Sequence, residues 1–453
     1  MGRKISRQHG SSEASVQLPP FVREILGAEA ELLLEALKGP APVSIRLDPL
    51  KEATVEGIPV PWCPQGRYLE ERPVFTLDPL LHAGAYYVQE ASSMLLEQAF
   101  RACSALPADA VVLDLCAAPG GKSTHLAALL PEEAVLIANE PVRSRQVALT
   151  ENLWKWGRPD TIITGSLPEA FQPLGPFCDL VVVDAPCSGE GMFRKDPFAR
   201  AQWNEQLVET CAARQHGILD AAWAALRPGG YLIYCTCTWE ARENEDQVER
   251  MMQRGGEVIP VPVEPEWGVL ATERGQRCYP HRVHGEGFFI AALRKTINIS
   301  GTDHRSTDRS VSWSDGPETG HIMSWLKDPG RFTPIDHEGV QHAISARWAE
   351  LAEALTATVR MIAPGIPVAR RKGEAWVPHA ALALNTLLDH GAFPALDLDR
   401  EQALRYLRGE ALSATAAKGT ALMRYQGLGL GWANGAGTRW NNGWPAPWRI
   451  RMR

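Results

Sequence analysis

The chain has 453 residues, 45% of them apolar and 22% charged, with a formal net charge of −7. This length fits about three domains and the composition a globular core, while the acidic balance excludes a uniformly basic nucleic-acid coat, so that if the chain binds a nucleic acid the positive charge has to be local. Nine cysteines without a CxxC pair argue against a disulfide framework or a zinc ribbon and fit a reducing compartment, the cytoplasm.

Residues 1–17 are polar and expected to be disordered, and nothing there has the apolar core of a signal peptide. From Leu18 onward, FVREILGAEAELLLEALKG has the spacing of one or two amphipathic helices stopped at Gly39-Pro40. SIRLDPLK reads as a short strand, and residues 58–90, rich in Pro, Gly and aromatics, read as irregular. Residues 18–105 are therefore expected to form an N-terminal α+β region. A strand–helix rhythm begins near residue 109: VVLDL (111–115), AVLIANE (134–140), DTIITG (160–165), DLVVVDA (179–185) and YLIYCTCT (231–238) alternate with helical stretches. A helix is expected over about 205–226, ended by Arg227-Pro228-Gly229-Gly230. EVIPV (257–261) and GFFIAALRK (287–295) close the series, the latter as an antiparallel partner. The pattern predicts an α/β domain over 106–296, a Rossmann-like seven-stranded sheet of the methyltransferase kind. Residues 297–319, rich in Ser, Thr, Asp and Gly, read as a linker, and 320–453 as a third domain. No stretch reaches the roughly 18 apolar residues of a membrane span.

Four segments carry chemistry. In Asp114-Leu-Cys-Ala-Ala-Pro-Gly-Gly-Lys122 a strand runs into a tight turn and opens a helix, so that small residues let backbone N–H groups approach a ligand. It is neither GxGxxG nor a P-loop, because Cys116 stands where the first P-loop glycine belongs. Glu140, at the end of the second strand and twenty positions beyond Gly120, is placed to receive the hydroxyls of a nucleoside ribose. Asp184-Ala-Pro-Cys-Ser-Gly-Glu-Gly-Met-Phe-Arg-Lys195 follows the fourth strand, where amino-group methyltransferases carry Asn/Asp-Pro-Pro-aromatic; a cysteine there suggests covalent activation of a carbon. Tyr234-Cys-Thr-Cys-Thr238 ends the next strand, followed by Glu243-Asn244-Glu245. If the two strands are parallel neighbours, Cys187 and Cys237 emerge at one edge. Cys235 is expected on the opposite face of its strand from Cys237. The remaining Cys63, Cys103, Cys178, Cys211 and Cys278 read as small buried hydrophobes. His82, His125 and His216 lack ligand spacing, and no metal is expected.

The DxCAAPGGK turn, DAPCSGEGMFRKDP and TCT…ENE together resemble the Sun-type RNA 5-methylcytosine methyltransferases (the nucleolar-protein family), in the bacterial branch acting on small-subunit ribosomal RNA. PVSIRLDPLK, FTLDPLLHAGAYYVQEASSM and HRVHGEGFFIAALRK extend the likeness over about 18–296. The resemblance implies S-adenosylmethionine as cofactor and RNA as partner, with the N-terminal region contributing to RNA binding. It implies Cys237 as nucleophile on cytosine C6, Cys187 as the group assisting product release, and Asp184 on the cytosine edge near N3. Cys116, Ala117, Ala118, Pro119, Gly120, Gly121 and Lys122 would cradle the methionine part, Glu140 the ribose, with Asp184 and Pro186 also lining the cofactor. Lys122 could serve cofactor or RNA, and Arg145 reads as structural. The family often has an acid after the third strand, toward the adenine; here that place reads Gly165-Ser166. Arg194, Lys195 and Arg282, inside the motifs, are candidate RNA contacts.

Residues 421–453 hold five arginines and four tryptophans and no acid, a local basic stretch in which Arg can neutralise phosphate and Trp can stack on a base, unless the tryptophans are simply core. GLGWANGAG reads as a hairpin turn. The C-terminal region resembles a PUA-like RNA-binding domain, with Arg370, Arg371, Arg449 and Arg451 as further phosphate contacts and the protein a monomer. Transfer RNA is the alternative substrate. A DNA cytosine methyltransferase, using Cys187 as nucleophile, and a non-catalytic assembly factor are the competing readings.

Overall fold

The computed structural model describes residues 18–296 and 319–452; the expected disordered start and nearly all of the expected linker lie outside the described residues. The central sheet contains β1 (Val111–Asp114), β2 (Val135–Asn139), β3 (Thr161–Thr164), β4 (Cys178–Asp184), β5 (Leu226–Thr236), β6 (Gly256–Ile259) and β7 (Phe288–Lys295). Their order is β3-β2-β1-β4-β5-β7-β6, the first five parallel and β7 antiparallel between β5 and β6. The seven strands are thus those expected, and the sheet continues beyond them. A hairpin, Leu270–Thr272 and Gly275–Cys278, adds to β7, and Met361–Ala363 from the C-terminal part pairs antiparallel with β3, making ten strands.

Because both faces are covered, the strands are almost unbroken apolar runs rather than alternating ones. One face (Val112, Leu136, Ile163, Leu180, Val182, Ile233) packs with α1 (Gly121–Leu129), α2 (Arg143–Trp156) and the N-terminal region, through Trp62, Met94 and Leu95. The other (Val111, Leu113, Ile137, Val181, Leu232, Tyr234) packs with α3 (Glu205–Ala225), whose N-terminus is capped by the Asn204 side chain. The C-terminal part joins it there through Ile335, Ile344, Ala352 and Leu355.

The N-terminal helices are Pro20–Leu26 and Ala30–Lys38, and Val43–Leu47 is the expected strand. Residues 58–90 correct the sequence reading. Ile58–Val60, Cys63–Leu69 and Tyr86–Val88 pair around Val43–Leu47 in an antiparallel four-stranded sheet. The Gly that suggested a loop is there for close packing: a Cβ at Gly66 would lie 2.7 Å from Val60 Cβ and 2.8 Å from Met94 Sδ. The same sheet is tied to α1 by buried Arg46, which donates to Gln89 Oε1 (2.8 Å) and Thr124 Oγ1 (2.7 Å) and lies 4.4 Å above the Trp156 ring.

Residues 319–452 hold two further sheets. Phe332–His337, Val340–Ser345, Ile366–Lys372 and Ala375–Pro378 form one. The other has five strands between Ala395 and Asn442, with the helix Arg400–Leu407 started by an Asp399/Gln402 capping box. Its strands Leu428–Gly435 and Gly437–Asn442 form the expected hairpin. Trp432, Trp440 and Trp444 are buried in the cores of this part, so the base-stacking reading does not hold for them. Trp448 is half-buried against Trp154 and Trp444.

Candidate active site

All the expected cofactor and catalytic residues lie at the C-terminal edge of the parallel strands, where ligands bind in open α/β sheets. After β1 the chain turns back under its neighbours: Leu115 N–H donates to Val182 O (2.9 Å) and Ala117 N–H to Asn139 O (2.8 Å). Gly120 adopts φ +111°, which admits glycine and strains other residues, and Gly121 starts α1. Helix α2 holds the turn from outside, with Arg145 donating to Ala118 O (2.6 Å) and Asn152 to Pro119 O (2.8 Å). Arg145 is therefore structural, as expected.

Two buried carboxylates face this turn with unmet capacity. Glu140 is 1% exposed; one oxygen accepts from Val142 N–H (2.8 Å), and the other accepts no hydrogen bond, although the Arg145 guanidinium is 3.3 Å away. Asp114 accepts from Ser123 Oγ (2.6 Å) through one oxygen, and the other has no partner. Burial pushes the Asp114 carboxyl up to about 7. Buried acceptors without donors are costly unless a ligand supplies the donors. The site therefore fits a cofactor with hydroxyl and ammonium groups, such as S-adenosylmethionine.

β4 and β5 are parallel neighbours with Asp184 opposite Cys235. Cys187, three residues past β4, and Cys237, one residue past β5, meet at 3.0 Å between sulfurs, and Cys237 N–H points at Cys187 Sγ (3.3 Å). The loops are clamped by Gly191 N–H to Cys237 O (2.9 Å); at Gly191 a Cβ would meet Gly287 O at 2.3 Å. The Cys187 thiol is raised well above its ordinary value by the hydrogen bond with Cys237, then by burial. Asp184 forms an ion pair with Lys122 (2.8 Å), whose ammonium also lies 5.1 Å from the Phe288 ring centre. Burial works against the Lys122 charge, but Asp184 and the Cys235 and Cys237 sulfurs more than offset it, so its pKa is raised. The expectation that Cys235 faces away from Cys237 fails, because residues two apart on a strand share a face. Cys235 is fully buried, its sulfur 3.8 Å from Asp184 Oδ1.

Behind the cysteines lies a polar layer whose connections the sequence did not show. Glu243 accepts from Ser188 N–H (3.1 Å), the Ser188 hydroxyl and Gln215 Nε2 (2.8 Å), and Gln215 also donates to Pro186 O (3.0 Å). Burial, reinforced by neighbouring Glu190, pushes Glu243 up to about 7. Asn244 bridges Thr236 Oγ1 (2.6 Å) and Thr238 O (3.0 Å) on either side of Cys237. The visible signal was the acid-amide-acid run Glu243–Glu245 after the cysteine strand.

The expected RNA contacts divide. Arg194 is buried against Glu286 (3.1 Å) and Gly285 O (2.5 Å), with Lys195 3.6 Å from the same carboxylate. Arg282 is paired with Glu29 (2.6 Å). Arg194 thus fixes the loop after Cys187 to the entry of β7, a correction to its reading as a phosphate contact. Arg370, Arg371, Arg449 and Arg451 are exposed. His125 is not isolated: it meets Glu97 (3.3 Å) and Cys63 (3.9 Å) in a buried cluster of metal-ligand types. There Arg101 also pairs with Glu97 (2.7 Å), and burial, with Arg46 nearby, lowers the imidazole to about 4.

Strand order and cofactor turn place the chain among the S-adenosylmethionine-dependent methyltransferases. Comparison with known families is consistent throughout. The 16S rRNA methyltransferase RsmB/F model matches residues 104–294, the N-terminal domain of 16S rRNA methyltransferase RsmF matches 20–91, and the methyltransferase RsmF PUA domain matches 393–450. Ribosomal RNA small subunit methyltransferase F of Erwinia tasmaniensis is 34% identical over 388 residues, 78% of this chain and 76% of the relative. The Vibrio cholerae protein of that name is 30% identical over 463 residues, 92% and 95%. A methyltransferase homolog from Pyrococcus horikoshii superposes with TM-score 0.52 at 25% identity, covering 61% of this chain and all of that one. NSun6 from Pyrococcus horikoshii with the S-adenosylmethionine analogue SFG shares the fold (TM-score 0.52, 22% identity, 61% and 97% covered). The chain belongs to the ribosomal RNA small subunit methyltransferase F family, and it is an S-adenosylmethionine-dependent RNA methyltransferase.

Proposed function

We propose that the protein methylates C5 of a cytosine in small-subunit ribosomal RNA, in the cytoplasm, through a covalent adduct with Cys237. The observation that carries this reading is the paired sulfurs of Cys187 and Cys237 beside the Asp184–Lys122 ion pair. Cytosine C5 is a weak nucleophile. Addition of the Cys237 thiolate to C6 moves electron density to C5, which then attacks a methyl carbon. S-adenosylmethionine would supply that methyl from its sulfonium and leave as the neutral thioether S-adenosylhomocysteine; Glu140 would hold its ribose and Cys116–Lys122 its methionine part. Lys122 places a positive charge beside the reacting sulfurs. Asp184 accepts a hydrogen bond from the cytosine edge near N3 and orients the ring, while the Lys122 ammonium paired with it offsets the negative charge that the adding sulfur brings. Transfer of the C5 proton to solvent water returns the C5–H electrons to the ring as the C5–C6 double bond, and the C6–S bond breaks with its electrons leaving on the Cys237 sulfur. Cys187, held as a thiol with its sulfur against Cys237, assists that expulsion. The exposed arginines of the C-terminal part serve the RNA backbone. Cys187→Ala, incubated with S-adenosylmethionine and small-subunit ribosomal RNA, should therefore trap a protein–RNA band on a denaturing gel, lost when Cys237 is also Ala. A band formed instead by Cys237→Ala with Cys187 intact, and lost in Cys187→Ala, would assign the nucleophile to Cys187, the DNA-type arrangement. No band from Cys187→Ala, while the wild type still transfers methyl groups to that RNA, would mean that the two cysteines divide the work differently.

A further inference from the structure

The cofactor direction follows from the edge residues: methionine at the turn after β1, ribose at Glu140 after β2, and so the base beyond it, at the loop after β3. That loop is Gly165-Ser166, and no acid or amide side chain of its own reaches out from it. Arg360, 195 residues later and one residue before the strand Met361–Ala363, fills the place. Its Nε donates to Gly165 O (3.3 Å) and its Nη2 to Gln146 Oε1 (2.6 Å), while its backbone N–H donates to Ser166 Oγ (2.8 Å). Gln146 in turn donates to Glu140 O (2.6 Å), so guanidinium and ribose acid share one connector. A Cβ on Gly165 would lie 2.1 Å from Arg360 Nη2, so the missing side chain is what makes room for the guanidinium. Arg360 itself is exposed, and two aliphatic side chains are left exposed at the same two loops, Val142 (47%) and Leu167 (66%).

We infer that Arg360 forms the outer wall of the adenine site and contacts the base, so that the C-terminal part of the chain completes the cofactor pocket. A planar guanidinium can donate to ring nitrogens or stack on the base, with Val142 and Leu167 supplying apolar surface. The inference rests on the ribose lying at Glu140 and is independent of the cytosine chemistry. Binding of S-adenosylhomocysteine by calorimetry to the full chain tests it, in the wild type and in Arg360→Ala, Arg360→Lys, Arg360→Gln and Glu140→Gln. Arg360→Ala should weaken binding about tenfold, with Arg360→Lys recovering only part because it keeps the charge and loses the plane. At saturating cofactor kcat should stay within about twofold, so that the loss appears in KM. A residue that merely docks the C-terminal part would lower the melting temperature and leave S-adenosylhomocysteine affinity unchanged, and that result overturns the inference. Should Arg360→Ala fail to fold, unchanged affinity in Arg360→Gln overturns it equally. If Glu140→Gln also has no effect on binding, the ribose placement has failed, and the inference with it.

Discussion

The two ends of the cofactor edge are built differently. At the end proposed to hold the cytosine, Asp184, Cys187 and Cys237 come from adjacent parallel strands, and Lys122 from the neighbouring turn, all within the central domain. At the other end, beyond Glu140, Arg360 donates to Gly165 O, delivered by a strand that the C-terminal part adds beyond β3, and under the inference above it walls the adenine. The reacting atoms need fixed mutual geometry, which short loops on rigid strands provide. A base-binding wall needs only shape and donors and can be supplied from a distant part of the chain. The difference teaches that the C-terminal part is continuous with the cofactor sheet.

The largest expected effect is at the cytosine end. Cys237→Ala should cut methyl transfer by at least about 1000-fold while S-adenosylhomocysteine binding stays near wild type. Lys122→Gln sharpens the comparison, because Lys122 sits between the two ends. A loss of about 100-fold in kcat with unchanged cofactor affinity places it with the cysteines. A loss of affinity of similar size, measured by calorimetry, would place it with the cofactor. The Arg360 substitutions come next, at about tenfold in affinity and little in kcat.

A separate effect, on stability and not on turnover, concerns the layer behind Cys187. Glu243 is raised from 4.5 to about 7 by burial and by Glu190. Between those values the folded state keeps a proton that the unfolded chain has released, so this group makes stability fall as pH rises from about 4.5 to about 7. Asp114, raised to about 7, acts in the same direction. Glu243→Gln should flatten that fall by up to about 3 kcal/mol in denaturant titrations across this range. An unchanged slope would mean that Glu243 carries its charge in the folded protein.

Much of this was legible because it is local. Strand period, the glycine turn and the break at Arg227-Pro228-Gly229-Gly230 lie within a few residues of one another, so the five parallel strands and their edge residues could be read directly. Residues 58–90 could not. Their strands are short and their glycine and prolines answer to partners elsewhere, Gly66 to Val60 and Met94. Arg194 and Arg282 looked like phosphate ligands because a sequence does not show Glu286 or Glu29 standing beside them. The tail tryptophans resembled stacking platforms because burial, not composition, decides whether a ring is available.

The sequence by itself determined the sheet, the turn, and which cysteines reach the strand ends, since backbone propensity and short-range pattern suffice for these. Only the tertiary structure decided that Cys187 and Cys237 touch at 3.0 Å, that Lys122 pairs with Asp184, and that Arg360 closes the loop at Gly165. Those contacts join residues 50 to 195 positions apart. Their energies come from packing and desolvation across the fold, which no local pattern encodes.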